Sequence, residues 1–238
     1  MMLAALIVVI AAQKGNMGDR RPEPPWNHFS SKAGLPELRA IRESIEKKYG
    51  RIPETSGSPA AEADAPMAAY LKSHSAADAF RAVYMILATR RGWEAHQFKL
   101  GVDPFKNLPV DDYEVVRLRF LWNWTFLDYQ LGPLGDRLLA RDPNDAEVLW
   151  ADSFICSHYH NETKGVERAE KLVKLLPCVQ SYLRAADAHA YMYLVTKKPE
   201  DGKLTVYWFD KYFAKAKKDD PDYAMSVKER AYFKKQGF

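Results

Sequence analysis

Apolar residues recur along this chain at helical spacing, and prolines cut the recurrence into segments. Over 35–49, Leu38, Ile41, Ile45 and Tyr49 share a stripe while Arg39, Arg42, Glu43, Glu46 and Lys47 lie off it. This predicts a short amphipathic helix. Residues 65–73 predict another. Ser75, with Asp78 three places on, opens a third, in which Phe80, Val83, Tyr84 and Leu87 share a face before Arg90-Arg91-Gly92 ends it. Residues 93–108 read as a loop with one helical turn. Further helices are predicted over 134–140, 145–159, 166–176, 181–196, 204–218 and 222–235, with turns at 161–165 (NETKG) and 197–202 (KKPEDG).

Residues 113–129 satisfy two patterns. Leu118, Phe120, Trp122, Trp124 and Phe126 alternate with mostly polar residues, as in a strand. Val115, Leu118, Leu121, Trp122 and Phe126 also form a helical face. Length and the acidic start at Asp111-Asp112 favour helix. That helix is apolar nearly all round and suits a central, two-sided position.

The prolines keep a metre. Pro109, Pro143 and Pro177 stand 34 residues apart, and Pro221 follows one period and about ten residues later. The residue six places after each is aliphatic: Val115, Leu149, Leu183 and Val227. Proline has no N–H to donate, so it ends one helix and is tolerated where the next begins. Asp142-Pro143-Asn144-Asp145 and Asp219-Asp220-Pro221-Asp222 add capping side chains. The extra ten residues are expected as longer helices.

On these residues the chain from about Val110 onward resembles the tetratricopeptide repeat family, in degenerate form. Ser153 and Ala231 match the small residue ten places after the junction proline, whereas Arg119 and Asp187 do not. Phe213 and Ala216 match the second-helix pattern before Pro221, whereas Gly135, Leu138, Ala169 and Leu172 depart from it. The resemblance implies an all-α fold: stacked antiparallel helical hairpins, an α-solenoid, over 110–238 with a capping C-terminal helix. An N-terminal helical segment (67–109) and a tether, short helix and linker (13–66) precede it. The resemblance also implies a groove lined by the first helix of each unit. Its positions hold Tyr113, Val116, Phe120 and Asn123, then Glu147, Trp150, Phe154 and Ser157, then Ser181, Arg184, Ala188 and Tyr191. Trp150, Phe154, Arg184 and Tyr191 would form an aromatic partner-binding surface around one guanidinium. The alternative is that these side chains pack against the helices of 35–100.

Composition sharpens this picture in a few places. At 238 residues, 47% hydrophobic, the chain is long enough to build its own core. Its net charge of +4 is spread out, and the C-terminal lysines alternate with acids, so a nucleic-acid partner is not expected. Residues 3–12 (LAALIVVIAA) are too short to span a bilayer, which takes roughly 20 residues. They fit the apolar core of a signal peptide or a short anchor, although Met1-Met2 supplies no basic flank. Export, periplasmic or secreted, or tethering at a membrane follows as the expectation for 1–12.

Candidate chemistry is sparse. His158, His160 and Glu162 cluster in sequence, but residues two apart point away from each other on a helix. Cys156 and Cys178 are too far apart in a hairpin turning near Thr163, by about 12 Å, and are expected as buried thiols. Asn123 and Asn161 begin glycosylation triplets. No phosphate loop, dinucleotide fingerprint, His-Glu-x-x-His or Cys-x-x-Cys occurs. The expectation is therefore a non-enzymatic scaffold or adaptor for a protein or peptide, with no catalytic residue, cofactor or metal. The alternative is an enzyme or small-molecule binder with a pocket between the N-terminal helices and the stack, using His158, His160 or His189.

Overall fold

The structure is a computed structural model. It describes residues 43, 46–48, 50, 61–88, 104–125, 132–158, 161–220 and 222–238. The expected leader, the tether and linker up to residue 60 (save those few), Trp93, His160 and Pro221 lie outside the described residues.

All regular structure among the described residues is helical. In chain order come α1 (Ala61–Ser73), α2 (Ala76–Ala88), a 3-10 turn (Pro104–Asn107), α3 (Tyr113–Thr125), α4 (Gly132–Arg141), α5 (Ala146–His158), α6 (Glu162–Leu175), α7 (Val179–Thr196), α8 (Pro199–Phe213) and α9 (Tyr223–Lys235). Neighbours in sequence pack on one another: α1 with α2, and each consecutive pair from α3·α4 to α8·α9. In addition α2 packs on α3, and α3, α5 and α7 touch in series, α3 on α5 and α5 on α7. The product is an all-α helical stack.

Local chemistry explains the helix starts. The Ser75 hydroxyl accepts from the Asp78 N–H at 3.2 Å, one half of the cap anticipated from their spacing; the Asp78 carboxylate accepts from the Ser75 hydroxyl at 3.0 Å, while the Ser75 backbone N–H donates to the Ser73 hydroxyl at 3.1 Å. Asp112 accepts from the N–H groups of Glu114 and Val115, and Asp145 from those of Glu147 and Val148. Each satisfies donors that a helix N-terminus otherwise leaves without partners. Pro109, Pro143 and Pro177 sit in the connections just before α3, α5 and α7.

The segment at 113–125 is helix, so the strand alternation there is incidental to the fold. The most enclosed helix is instead α5, whose residues 146–153 and 155–157 are all buried. Its core partners are Phe120 from α3, Leu138 and Leu139 from α4, and Leu172 and Leu176 from α6 and its end. A second core joins Tyr182, Leu183 and Ala186 of α7 to Phe209 and Tyr212 of α8. Each large side chain buried in this way contributes on the order of 1.5–3 kcal/mol. Between α6 and α7 the contact is made by small residues: Ala169, Ala185 and Ala188.

Three sequence expectations are corrected. Residues 161–165 are not a hairpin turn but the start of α6, with the Gly165 N–H bonded to the Asn161 carbonyl at 3.0 Å. Gly165 is there for closeness rather than turning, since a Cβ would stand 2.9 Å from the Ser157 backbone nitrogen and 3.1 Å from the Ser153 carbonyl oxygen. Residues 197–202 shrink to a two-residue link, because Lys197 takes the left-handed cap (φ 58) and Pro199 already opens α8. Residues 61–66, expected in the linker, begin α1. The extra length before residue 221 is divided. Part lies in α7, which has 18 residues against 13 in α5, and part in the connection 214–222.

Candidate functional site

The four side chains singled out in the sequence converge. Arg184 lies with its guanidinium carbon 4.7 Å from the Trp150 ring centre and 4.9 Å from that of Phe154. Phe154 stacks on His158 at 3.8 Å, and the Tyr191 ring meets His158 at 4.3 Å. The spacings explain the meeting. Trp150, Phe154 and His158 are four apart on α5, and Arg184, Asp187 and Tyr191 are three and four apart on α7, so each set shares one face.

Burial sorts the cluster into floor and rim. Trp150 is 2% exposed and Arg184 6%, so both form the floor. Phe154, His158, Asp187 and Tyr191 are half-buried. The rest of the expected groove is more enclosed: Phe120, Glu147, Ser157, Ser181 and Ala188 are all buried. Packing within the stack therefore encloses most of the groove positions, Ser157 and Ala188 among them against α6. The described parts of the N-terminal helices meet α3. There the described helical residue Lys48 forms an ion pair with Asp112, and α2 packs on α3.

His158 has a defined tautomer when neutral. Its Nδ1 lies 2.9 Å from the Phe154 carbonyl, which only accepts, so Nδ1 carries the proton. Its Nε2 then accepts from the Tyr191 hydroxyl at 2.6 Å. Desolvation pushes the Tyr191 phenol above its ordinary range, and Asp187 and Glu229 push it further.

Carboxylates lie around Arg184 as well. Arg184 approaches Asp187 at 3.6 Å. Asp222, at the start of α9, and Glu229, two turns along it, lie within electrostatic reach. Desolvation raises Asp187 to about 6; Arg184 opposes the rise and Asp222 adds to it. Desolvation and then Asp220 raise Asp222 to about 6, against Arg184. Glu229 is pushed up to about 8, first by desolvation and then by Asp187 and Asp222. Asp187 nonetheless keeps 30% of its side chain exposed, so it lies at the edge of the cluster.

Sequence reading did not place Asp187, Asp222 or Glu229 here. Asp187 left a signal: it stands where the repeat pattern wants a small residue. Asp222 was read as a helix cap, yet its side chain makes no cap hydrogen bond.

The other chemistry is structural. Arg117, fully buried, meets Asp145 and Glu147, and Tyr113 donates to Asp145 at 3.1 Å. His189 is buried between Glu170 of α6 at 3.1 Å and Asp201 of α8 at 3.7 Å, binding three helices together. Cys156 and Cys178 are both free, Cys156 buried and Cys178 half-buried. Among the described residues no group of three or more His, Cys, Asp or Glu side chains has metal-site geometry. Also among them, no helix is long and apolar enough to cross a membrane.

A scan against protein-family models and searches of curated proteins and of solved structures find no match.

Proposed function

We propose that the chain is a non-enzymatic interaction module, a degenerate tetratricopeptide-like stack that holds a protein or peptide partner against the aromatic and arginine cluster of α5 and α7. One observation carries this: Trp150, Phe154, Arg184 and Tyr191, chosen from the repeat register alone, meet at one place, with the rim side chains partly exposed. Aromatic side chains around an arginine are the usual composition of an interface hot spot. The series α3, α5, α7 in mutual contact supports the repeat-like reading, as does the place of each described proline ahead of those helices. We further propose that the apolar run 3–12 directs the chain across a membrane or holds it there.

Affinity capture with the full chain, from envelope and soluble extracts, tests the reading. Because Trp150 and Arg184 form the floor, their truncation unsettles the fold, so the informative variants are at the rim. Phe154→Ala and Asp187→Lys retain the helical fold by circular dichroism and lose the partner. Capture unchanged in both folded variants overturns the assignment.

A second reading rests on the Tyr191–His158 hydrogen bond beside carboxylates of raised pKa, which is the kind of grouping a small-molecule site uses. Ligand-dependent melting shifts with metabolites, without any captured protein, would favour it.

A further inference from the structure

Helix α9 is held differently from the helices before it. It packs mainly on α8, and only Ser226 and Phe233 of its residues are buried, whereas α5 is buried along nearly its whole length. At its start Tyr223 meets Phe213 of α8 edge to face at 5.1 Å. Further along, Arg230 pairs with Asp210 and lies 5.6 Å from the Phe213 ring centre. Near its end Phe233 meets the Tyr193 ring of α7 at 5.5 Å. A helix with so little buried surface separates from a stack more readily than one enclosed on all sides.

The residues after α9 supply a further hold. Gly237 takes φ 91, a left-handed conformation that glycine adopts without a Cβ clash. Its N–H donates to the Lys234 carbonyl at 3.1 Å, and the Phe238 N–H donates to the Phe233 carbonyl at 3.4 Å. These paired bonds reverse the chain at the helix end and lay the following residue beside the last turn. Phe238 is thereby turned back onto α7 and α8. Its ring meets Tyr193 edge to face at 5.1 Å and lies on Gly202, where an added Cβ would stand 2.5 Å from Cδ2 and 2.8 Å from Cζ of that ring. Gly202 is buried in the first turns of α8, a place where glycine weakens the helix. Its missing Cβ makes the notch that Phe238 fills. One glycine aims the ring and another receives it.

We infer that Phe238 is a latch and that α9 is a lid, hinged at 214–220, which opens from the stack as a unit when the ring leaves the Gly202 notch. Opening uncovers Tyr193 of α7 and Phe213 of α8 at the end of the stack. The device stands apart from the partner reading, since none of these contacts involves Trp150, Phe154 or Arg184.

Native-state hydrogen exchange of the full chain tests this. In wild type the amides of α9 are expected to exchange together, at least about tenfold faster than those of α5 and α6. Phe238→Ala empties the notch and Gly202→Ala fills it. Each should speed exchange in α9 about tenfold further and leave α5 and α6 unchanged. Because both act through one contact, adding Gly202→Ala to Phe238→Ala should give no additional acceleration. Exchange of α9 at the same rate as α5 in wild type overturns the lid. Unchanged α9 exchange in Phe238→Ala overturns the latch. So does equal acceleration of α5 and α6, which would make the ring a support of the whole stack. Additional acceleration in the double variant overturns the pairing of Phe238 with Gly202.

Discussion

Replacing Glu229 with glutamine should stabilise the fold, by a margin that grows as the pH rises above about 4.5 and is complete above about 8. In the folded chain Glu229 is held up at about 8, against 4.5 ordinarily, by desolvation and by the neighbouring Asp187 and Asp222. A carboxyl group whose folded pKa lies above its unfolded one binds its proton more tightly in the native state. Its contribution is therefore complete below about pH 4.5 and is lost as the pH rises through about 8. Each tenfold difference in proton affinity is about 1.4 kcal/mol, which sets a ceiling of about 5 kcal/mol for this group. Glu229 is only half-buried, so solvent screening reduces the expected difference to about 1–3 kcal/mol. Asp187 and Asp222, each raised to about 6, act with the same sign over a lower window. The assay is urea unfolding of wild type and Glu229→Gln at about pH 5, 7 and 9, with the denaturant slope checked for constancy. The variant should match wild type within about 1 kcal/mol at pH 5 and exceed it by about 1–3 kcal/mol at pH 9. A variant no more stable than wild type at pH 9 refutes the carboxylate cluster.

Three other perturbations probe the scaffold. Arg117→Met leaves Asp145 and Glu147 buried without their guanidinium and should cost about 3–5 kcal/mol in chemical unfolding; a loss under about 1 kcal/mol would contradict the burial of that network. Gly165→Ala drives a methyl group into the Ser157 backbone, which cannot swing away, and should lower stability by about 1–3 kcal/mol in thermal melts; a neutral result would mean that α5 and α6 are less closely apposed. In alkylation of the native chain followed by peptide mass spectrometry, Cys178 should react before Cys156, whose thiol is pushed up to about 12 by burial and then by Asp152; equal rates would show that α5 opens readily.

Much of the fold was legible because helix periodicity and caps are local. The Ser75–Asp78 cap and the acidic starts at Asp112 and Asp145 depend on residues three or fewer apart, so sequence alone displays them. Glycine was misread at Gly165 because a turn and a close helix crossing both call for a missing Cβ, and only tertiary packing tells them apart. The same limit applied to 197–202, where Pro199 was taken to lie in a turn although it begins α8. Of the cluster around Arg184, the aromatic and arginine half followed from register. The carboxylate half did not, because Asp222 and Glu229 reach Arg184 and Asp187 from a separate helix across 35 or more residues of chain. Asp222 also looks in sequence like an ordinary cap, and only its unmade hydrogen bond reveals otherwise.

The central claim is that the aromatic and arginine cluster of α5 and α7 holds a protein partner. Capture with the full chain against its folded Phe154→Ala and Asp187→Lys variants, read by quantitative mass spectrometry, tests it most directly. The account predicts a protein retained by wild type and depleted at least about tenfold by each rim variant, a loss of about 1.4 kcal/mol or more. Equal recovery from all three chains would contradict it.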